Sequence, residues 1–228
     1  MSKSKITIVL MAFGFASAVV AQEDRPFVLK MAERVSNGDC LPPSSEDPEA
    51  VLKRNDVQIQ GKAKAEEKKA LARAILAIER AGAGTFHAHH GARFVYRTGH
   101  VRSRFNGKAI EINPGRQNVH ALRDKSLGGT NNVGLHAHEL GHFVGGQGLY
   151  AKYFAAVPKD KRCLVSKYAE SRRNEEFAEA FAAYLLDPER LSHGGEGCER
   201  ARNFFSEIFG AKKDSIRDCT GAAGPHSG

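Results

Sequence analysis

The sequence has no C-x-x-C pair, no internal repeat and no low-complexity tract, and past residue 21 no segment is apolar enough to span a bilayer. These absences exclude a paired-thiolate zinc site, a solenoid and a multi-span membrane protein. Lysine and arginine number 34 against 26 acidic residues, a formal charge of +8. The basic residues are scattered and no aromatic-interleaved basic strip appears, so no nucleic-acid partner is expected and the charge reads as a solvated surface. The three methionines, Met1, Met11 and Met31, all lie near the start. A length of 228 residues fits one domain plus terminal extensions.

Lys3 and Lys5 precede an apolar stretch from Ile6 to Val20, and small residues end at Ala21 before the polar run Gln22-Glu23-Asp24-Arg25-Pro26. This order reads as a signal peptide over residues 1–21, cleaved after Ala21. The uncharged run is shorter than the roughly 20 residues of a spanning helix, so stable membrane insertion is not expected. Removing two lysines and no acids leaves 8 − 2 = +6. The implied destination is secreted or periplasmic. Cys40, Cys163, Cys198 and Cys219 all fall in the exported part, where an even count favours two disulfides over metal ligation. Of the three possible connectivities, Cys198 with Cys219 and Cys40 with Cys163 is preferred, since the first pair closes the short C-terminal segment.

The chain divides into a 22–61 arm of unknown role and a 62–228 catalytic domain. Asp39 to Pro48 carries three prolines and reads as a linker or strapped-down arm. Lys62 to Arg80 has the pattern of an amphipathic helix stopped by Gly82 and Gly84. Arg93 to Thr98 and Lys108 to Asn113 read as strands, the latter closed by Pro114-Gly115. After the glycine- and asparagine-rich Gly128 to Asn132, Val133 to Val144 reads as a helix ended by Gly145-Gly146. A further helix from about Arg172 to Leu186 places Phe177, Phe181, Tyr184 and Leu185 on one face and stops at Asp187-Pro188.

The first of these two helices contains His138-Glu139-Leu140-Gly141-His142, an H-E-x-x-H motif. Residues four apart share a helix face, so His138 and His142 can offer imidazole nitrogens to one metal ion with Glu139 beside it. Zinc, as one ion, suits two imidazoles, a carboxylate and an open water position, and it lowers the pKa of that water toward about 7. Glu139 is then the general base. A catalytic zinc needs a third protein ligand. The metzincin pattern H-E-x-x-H-x-x-G-x-x-H fails, because Gly145 matches but Gly148 stands at the last position and no methionine follows residue 31. The second helix supplies Glu175 and Glu179, four apart and on one face. Glu175 can bind the metal while Glu179 accepts an N–H from a ligand histidine. Glu176, one step round the helix, is the weaker alternative.

Two stretches, His136 to His142 and Tyr168-Ala169-Glu170 through Glu175 to Tyr184, resemble the gluzincin metalloproteases. The resemblance is strongest to the branch that includes the anthrax lethal factor catalytic domain and the secreted Pro-Pro endopeptidases. It covers roughly the second half of the chain. It implies an α+β zincin-like domain with a mixed sheet, an active-site helix and a second helix bearing the glutamate ligand. It also implies that Tyr168, seven residues before Glu175, stabilises the tetrahedral oxyanion. Glu176 stands where the family usually has an aromatic, which keeps both glutamates in contention. Lys108 to Asn113 would be the edge strand that pairs with an extended peptide or protein substrate.

Tyr150 and Tyr153 compete with Tyr168 for the oxyanion role. The His87, His89 and His90 cluster lies in a glycine-flanked loop that could bind a second metal or substrate, but it is read as an exposed cluster that binds metal adventitiously; His136 is read as a surface or core histidine, and His193 as a loop histidine ahead of an oxyanion-assisting imidazolium. The expected activity is secreted zinc endopeptidase. Two rivals are a non-proteolytic, zinc-braced envelope-binding or toxin-like module and a metallo-amidase acting on cell-wall peptides.

Overall fold

Alternation of apolar residues every three to four positions from Ala65 onward produces the longest helix, and its buried face shows where the core lies. A computed structural model describes residues 45–82, 85–98, 103–113, 133–166, 168–186, 191 and 194–210. The signal segment, Cys40, Gly128 to Asn132, Asp187-Pro188, His193 and Cys219 lie outside the described residues. No helix among the described residues is long and apolar enough to cross a membrane.

Helix α1 spans Pro48–Arg54, with Pro48 at its first turn, where a missing N–H costs nothing, and the Asp47 carboxylate accepting from the Ala50 amide at 3.2 Å. Strand β1, Gln58–Gly61, follows. Residues 48–61, read from sequence as part of an arm, therefore form structure of their own, and Val51 and Leu52 are buried in the core. Helix α2, Ala65–Ala81, buries Ala70, Leu71, Ala74, Ile75 and Ile78, the spacing of one helical face. Strands β2 (Arg93–Tyr96), β3 (Arg104–Phe105) and β4 (Ile110–Ile112) complete a mixed sheet of order β1-β2-β4-β3. The β1–β2 and β2–β4 pairs are parallel and β3 runs antiparallel to β4.

Lys108 to Asn113 was expected to give the edge strand; its core, β4, instead lies between β2 and β3. The outer strand on that side is β3, too short to leave a periodic pattern in the sequence. Phe94 and Tyr96 of β2 stand opposite Ile110 and Ile112 of β4, and all four are buried. On the alternate positions Glu111 is buried and held by Arg97 at 2.9 Å and Arg104 at 3.0 Å.

Helix α3, Val133–Val144, packs along α2 and over the sheet, with the Phe143 ring edge-on to Phe105 at 5.7 Å. It ends at Val144, as the glycines after it predict, and the chain kinks at Gln147 and Gly148, the latter at φ +104°, before α4, Tyr150–Ala156. After an irregular stretch and a 3₁₀ turn at Tyr168–Glu170 comes α5, Arg173–Leu186, and then α6, Gly195–Phe209. Helix α6 is joined to the rest by an aromatic cluster in which Phe205 meets Tyr153, Phe177, Phe181 and Tyr184 with ring centroids 5.4–5.8 Å apart. The Tyr153 pair is stacked and the others are tilted or edge-to-face, all at the separations such pairs favour.

The disulfide preference needs correction. Cys163 is bonded to Cys198, not to Cys40, and Cys198 not to Cys219. The first turn of α6 is laid against the 161–163 segment, where Lys161 and Glu196 pair at 2.6 Å, and this brings the two sulfurs together across 35 residues.

A candidate metal centre between two helices

Helix α3 is buried along almost its whole length because α2, the sheet and α5 all cover it. The crossing with α5 is closest at Gly141, where a Cβ would come 3.0 Å from Ala178 Cα and 3.2 Å from Phe181 Cδ1. A glycine inside the H-E-x-x-H motif thus lets α5 approach until Glu175, in its first turn, reaches both histidines.

His138 Nε2 and His142 Nε2 lie 3.1 Å apart, and Glu175 Oε2 is 3.2 Å from the first and 3.0 Å from the second. These are the three groups among the described residues whose ligand atoms converge closely enough to hold a metal ion. A tetrahedral ion with bonds of about 2.0–2.1 Å spans donor pairs about 3.3 Å apart, close to each side of this triangle. Glu176, the alternative third ligand, is turned away. It is fully buried, pairs with Arg162 at 2.6 Å and Arg173 at 2.7 Å, and accepts from the Cys163 amide at 3.1 Å.

The far nitrogens of both imidazoles also have partners. His138 Nδ1 is 2.6 Å from Glu179 Oε1, an ion-pair contact whose direction is bent away from that of a linear hydrogen bond. His142 Nδ1 is 2.8 Å from the Tyr150 hydroxyl. With Nδ1 of each ring turned to an oxygen, the two Nε2 atoms and a carboxylate oxygen face one point, an arrangement that calls for a cation. In the metal-free protein a proton serves. Burial disfavours a charged His138, but Glu175 and Glu179 outweigh it and hold its pKa at about 10. Burial keeps His142 low, only partly offset by Glu175. Burial also raises Glu175, yet its bonds to His138 and His142 hold the carboxyl well below the usual range.

Glu139 follows His138 on α3 and is buried, and its Oε2 has no partner among the described residues. Its pKa is pushed up to about 7, by burial above all, opposed by His138 and reinforced by Glu175 and Glu179. An orphaned, buried carboxylate oxygen next to a ligand histidine is what a proton-accepting base needs and what a purely structural glutamate would avoid.

The three tyrosines separate cleanly. Tyr153 is fully buried in the aromatic cluster with its hydroxyl 3.4 Å from Glu176. Tyr150 is engaged with His142. Tyr168 is half-buried in the 3₁₀ turn, its ring 5.8 Å from that of His138.

Ser166 was not foreseen. Its hydroxyl donates to Glu179 Oε2 at 2.7 Å and accepts from the Ala169 amide at 3.0 Å, joining the partner of His138 to the turn that carries Tyr168. Elsewhere, His136 is a core residue bonded to the Tyr96 hydroxyl at 2.9 Å. The loop cluster splits: His89 is buried against Asn55, while the exposed His87 and His90 touch each other at 3.3 Å.

Comparison with family models, curated proteins and solved structures found no match to this chain.

Proposed function

We propose that the protein is an exported zinc endopeptidase of gluzincin type, with a zincin-like fold, that binds its peptide substrate as an extended strand. The observation that carries this reading is the triangle of His138, His142 and Glu175 beside the unpartnered buried carboxylate of Glu139. Two imidazoles and one carboxylate suit zinc and leave a position open, whereas calcium and magnesium prefer all-oxygen shells. When bound, zinc acts as a Lewis acid on water and on the scissile carbonyl.

The chain's own residues supply the rest. His138, His142 and Glu175 hold the ion. Glu139 takes a proton from the attacking water on its unpartnered oxygen, Oε2, and delivers it to the leaving amine. Tyr168, beside His138, donates its hydroxyl hydrogen to the oxyanion. Glu179 and Tyr150 hold the ligand histidines in the required tautomer. Strand β3, outermost in the sheet and packed on the end of α3 through Phe105, is the edge on which an extended peptide pairs. The leading segment and the Cys163–Cys198 bond support export to an oxidising compartment.

The test is a pair of variants assayed against a mixed peptide library, casein and purified cell wall. Glu139→Gln should retain zinc and lose cleavage by at least a thousandfold, and Glu175→Ala should lose zinc. Full hydrolysis by Glu139→Gln would sink the mechanism. Release of products from cell wall alone would point to the amidase, and chelator-insensitive inertness of the wild type to a structural zinc protein.

A further inference from the structure

We infer that Tyr150 is a positioning residue for the metal centre, holding His142 through a phenol oxygen that the kink at Gln147 and Gly148 brings into place. The inference rests on the His138–His142–Glu175 site binding a metal, and not on the site being proteolytic.

Three features converge on this tyrosine. Its hydroxyl oxygen lies 2.8 Å from His142 Nδ1 and 3.5 Å from the carbonyl oxygen of the same residue. Donating its own hydrogen toward that carbonyl leaves the phenol lone pairs to accept from Nδ1–H. A neutral imidazole carries one hydrogen, so fixing it on Nδ1 leaves Nε2 with the free lone pair, and Nε2 is the atom that faces Glu175 and His138.

The backbone is shaped to permit this contact. The Tyr150 ring lies so close to Gly145 that a Cβ there would come 2.4–2.8 Å from three of its ring atoms. Any side chain at Gly145 would evict the ring. A kink at Gln147 and Gly148, where Gly148 adopts φ +104°, separates His142's helix from Tyr150 at the start of α4 and turns the tyrosine back toward His142.

The ring is also braced from outside. It stacks on Phe154 at 5.7 Å and meets Phe177 edge-on at 5.1 Å, so Tyr150 can hold its hydroxyl in one place at small entropic cost. Phe177 stands two residues after Glu175 on α5, and one tyrosine therefore contacts both ligand-bearing helices. His138 has a carboxylate as its outer partner and His142 a phenol, and the two ligands are thereby held by unlike groups.

The experiment uses the full exported chain. Zinc affinity is measured by competition with a chromophoric chelator for wild type, Tyr150→Phe and Gly145→Ala, together with the melting temperature of each metal-free protein. The histidine N–H resonances of the zinc-loaded forms are recorded in parallel. Tyr150→Phe keeps the ring and removes only the oxygen; it should weaken zinc 10- to 100-fold, with unchanged metal-free melting, and lose the exchange-protected Nδ1–H signal of His142. Gly145→Ala keeps the oxygen and displaces it, and should weaken zinc to a similar degree. Wild-type affinity and a protected Nδ1–H in Tyr150→Phe would overturn the role of Tyr150 and leave the metal site standing. A wild type that binds no zinc would remove both. Zinc bound at wild-type strength without peptide cleavage would remove the endopeptidase reading alone.

Discussion

Glu179 faces two ways, and its two oxygens show how single residues couple the parts of this site. One oxygen meets His138 and the other accepts from Ser166, whose own oxygen caps the amide of Ala169 beside Tyr168. The turn that carries Tyr168, the proposed oxyanion-stabilising group, is thus tied to His138 through two buried side chains. Ser166→Ala should leave zinc affinity within a few-fold of wild type while lowering turnover roughly tenfold to a hundredfold, because the turn carrying Tyr168 loses its anchor. Ser166→Thr, which keeps a hydroxyl, should recover most of the loss. Steady-state cleavage at saturating peptide decides this, and a Ser166→Ala enzyme with wild-type turnover would refute the coupling. Glu175 and Glu179 could be read from sequence because i, i+4 spacing places them on one face. Ser166 could not, since a serine in an irregular stretch carries no period, and neither could the accepting role of Tyr150. Between Glu175 and Glu176 the sequence leaves the choice open; in three dimensions Arg162 and Arg173 engage Glu176, while Glu175 faces the two histidines in a group that could hold a metal ion.

At the scale of elements, the centre exists because α3 and α5 cross closely enough for a carboxylate on one to reach imidazoles on the other. Gly141 sets that distance. Gly141→Val forces a branched side chain against Ala178 and Phe181, pushing α5 outward and withdrawing Glu175. Overpacking of this kind costs about 1–3 kcal/mol, and the zinc affinity of the variant should fall at least tenfold in the same chelator competition. Undiminished affinity would show that Glu175 reaches the histidines without the close crossing. These two helices were also the most legible elements: α3 runs over the span expected of it and α5 begins within one residue of its expected start. Both carry long, strongly patterned apolar faces. Helix α4 was hidden because Gly145-Gly146 ends α3 as the sequence suggests, and the seven residues that resume a helix after the kink at Gly148 are too few to show a clear period. Strands β1 and β3 are two to four residues long and largely exposed, so neither alternates convincingly, and sheet order depends on pairings distant in sequence.

Across the whole molecule, one buried histidine adds to the core packing and strand pairing that join the first helix and first strand to the rest, and this makes global stability depend on pH in a calculable direction. His89 Nε2 lies 2.7 Å from Asn55 Oδ1 at the end of α1; the Asn55 amide donates to Val51 and to Glu79 of α2, and Glu79 also accepts from Arg54. Only a hydrogen on Nε2 can satisfy the Asn55 oxygen. His89 Nδ1 is buried with no partner among the described residues, so a second proton there would be unpaired. Burial, with His90 and His87 adding and Glu79 opposing, lowers the His89 pKa from 6.5 to about 4. Because the unfolded chain binds this proton more readily, the stabilisation is present above pH 6.5 and is lost as pH falls from there to about 4. At about 1.4 kcal/mol per pH unit, the whole effect is at most about 3.5 kcal/mol. Carboxylates held low by their partners, such as Glu79, add their own loss at still lower pH, so the variant comparison is the clean one. Denaturant unfolding of wild type and His89→Gln at pH 7 and pH 4.5 should show the wild type losing about 2–3 kcal/mol more than the variant over that interval. Parallel pH profiles for the two proteins would mean that His89 is protonated in the folded state, and that the neutral hydrogen bond to Asn55 does not hold α1 and β1 to the sheet.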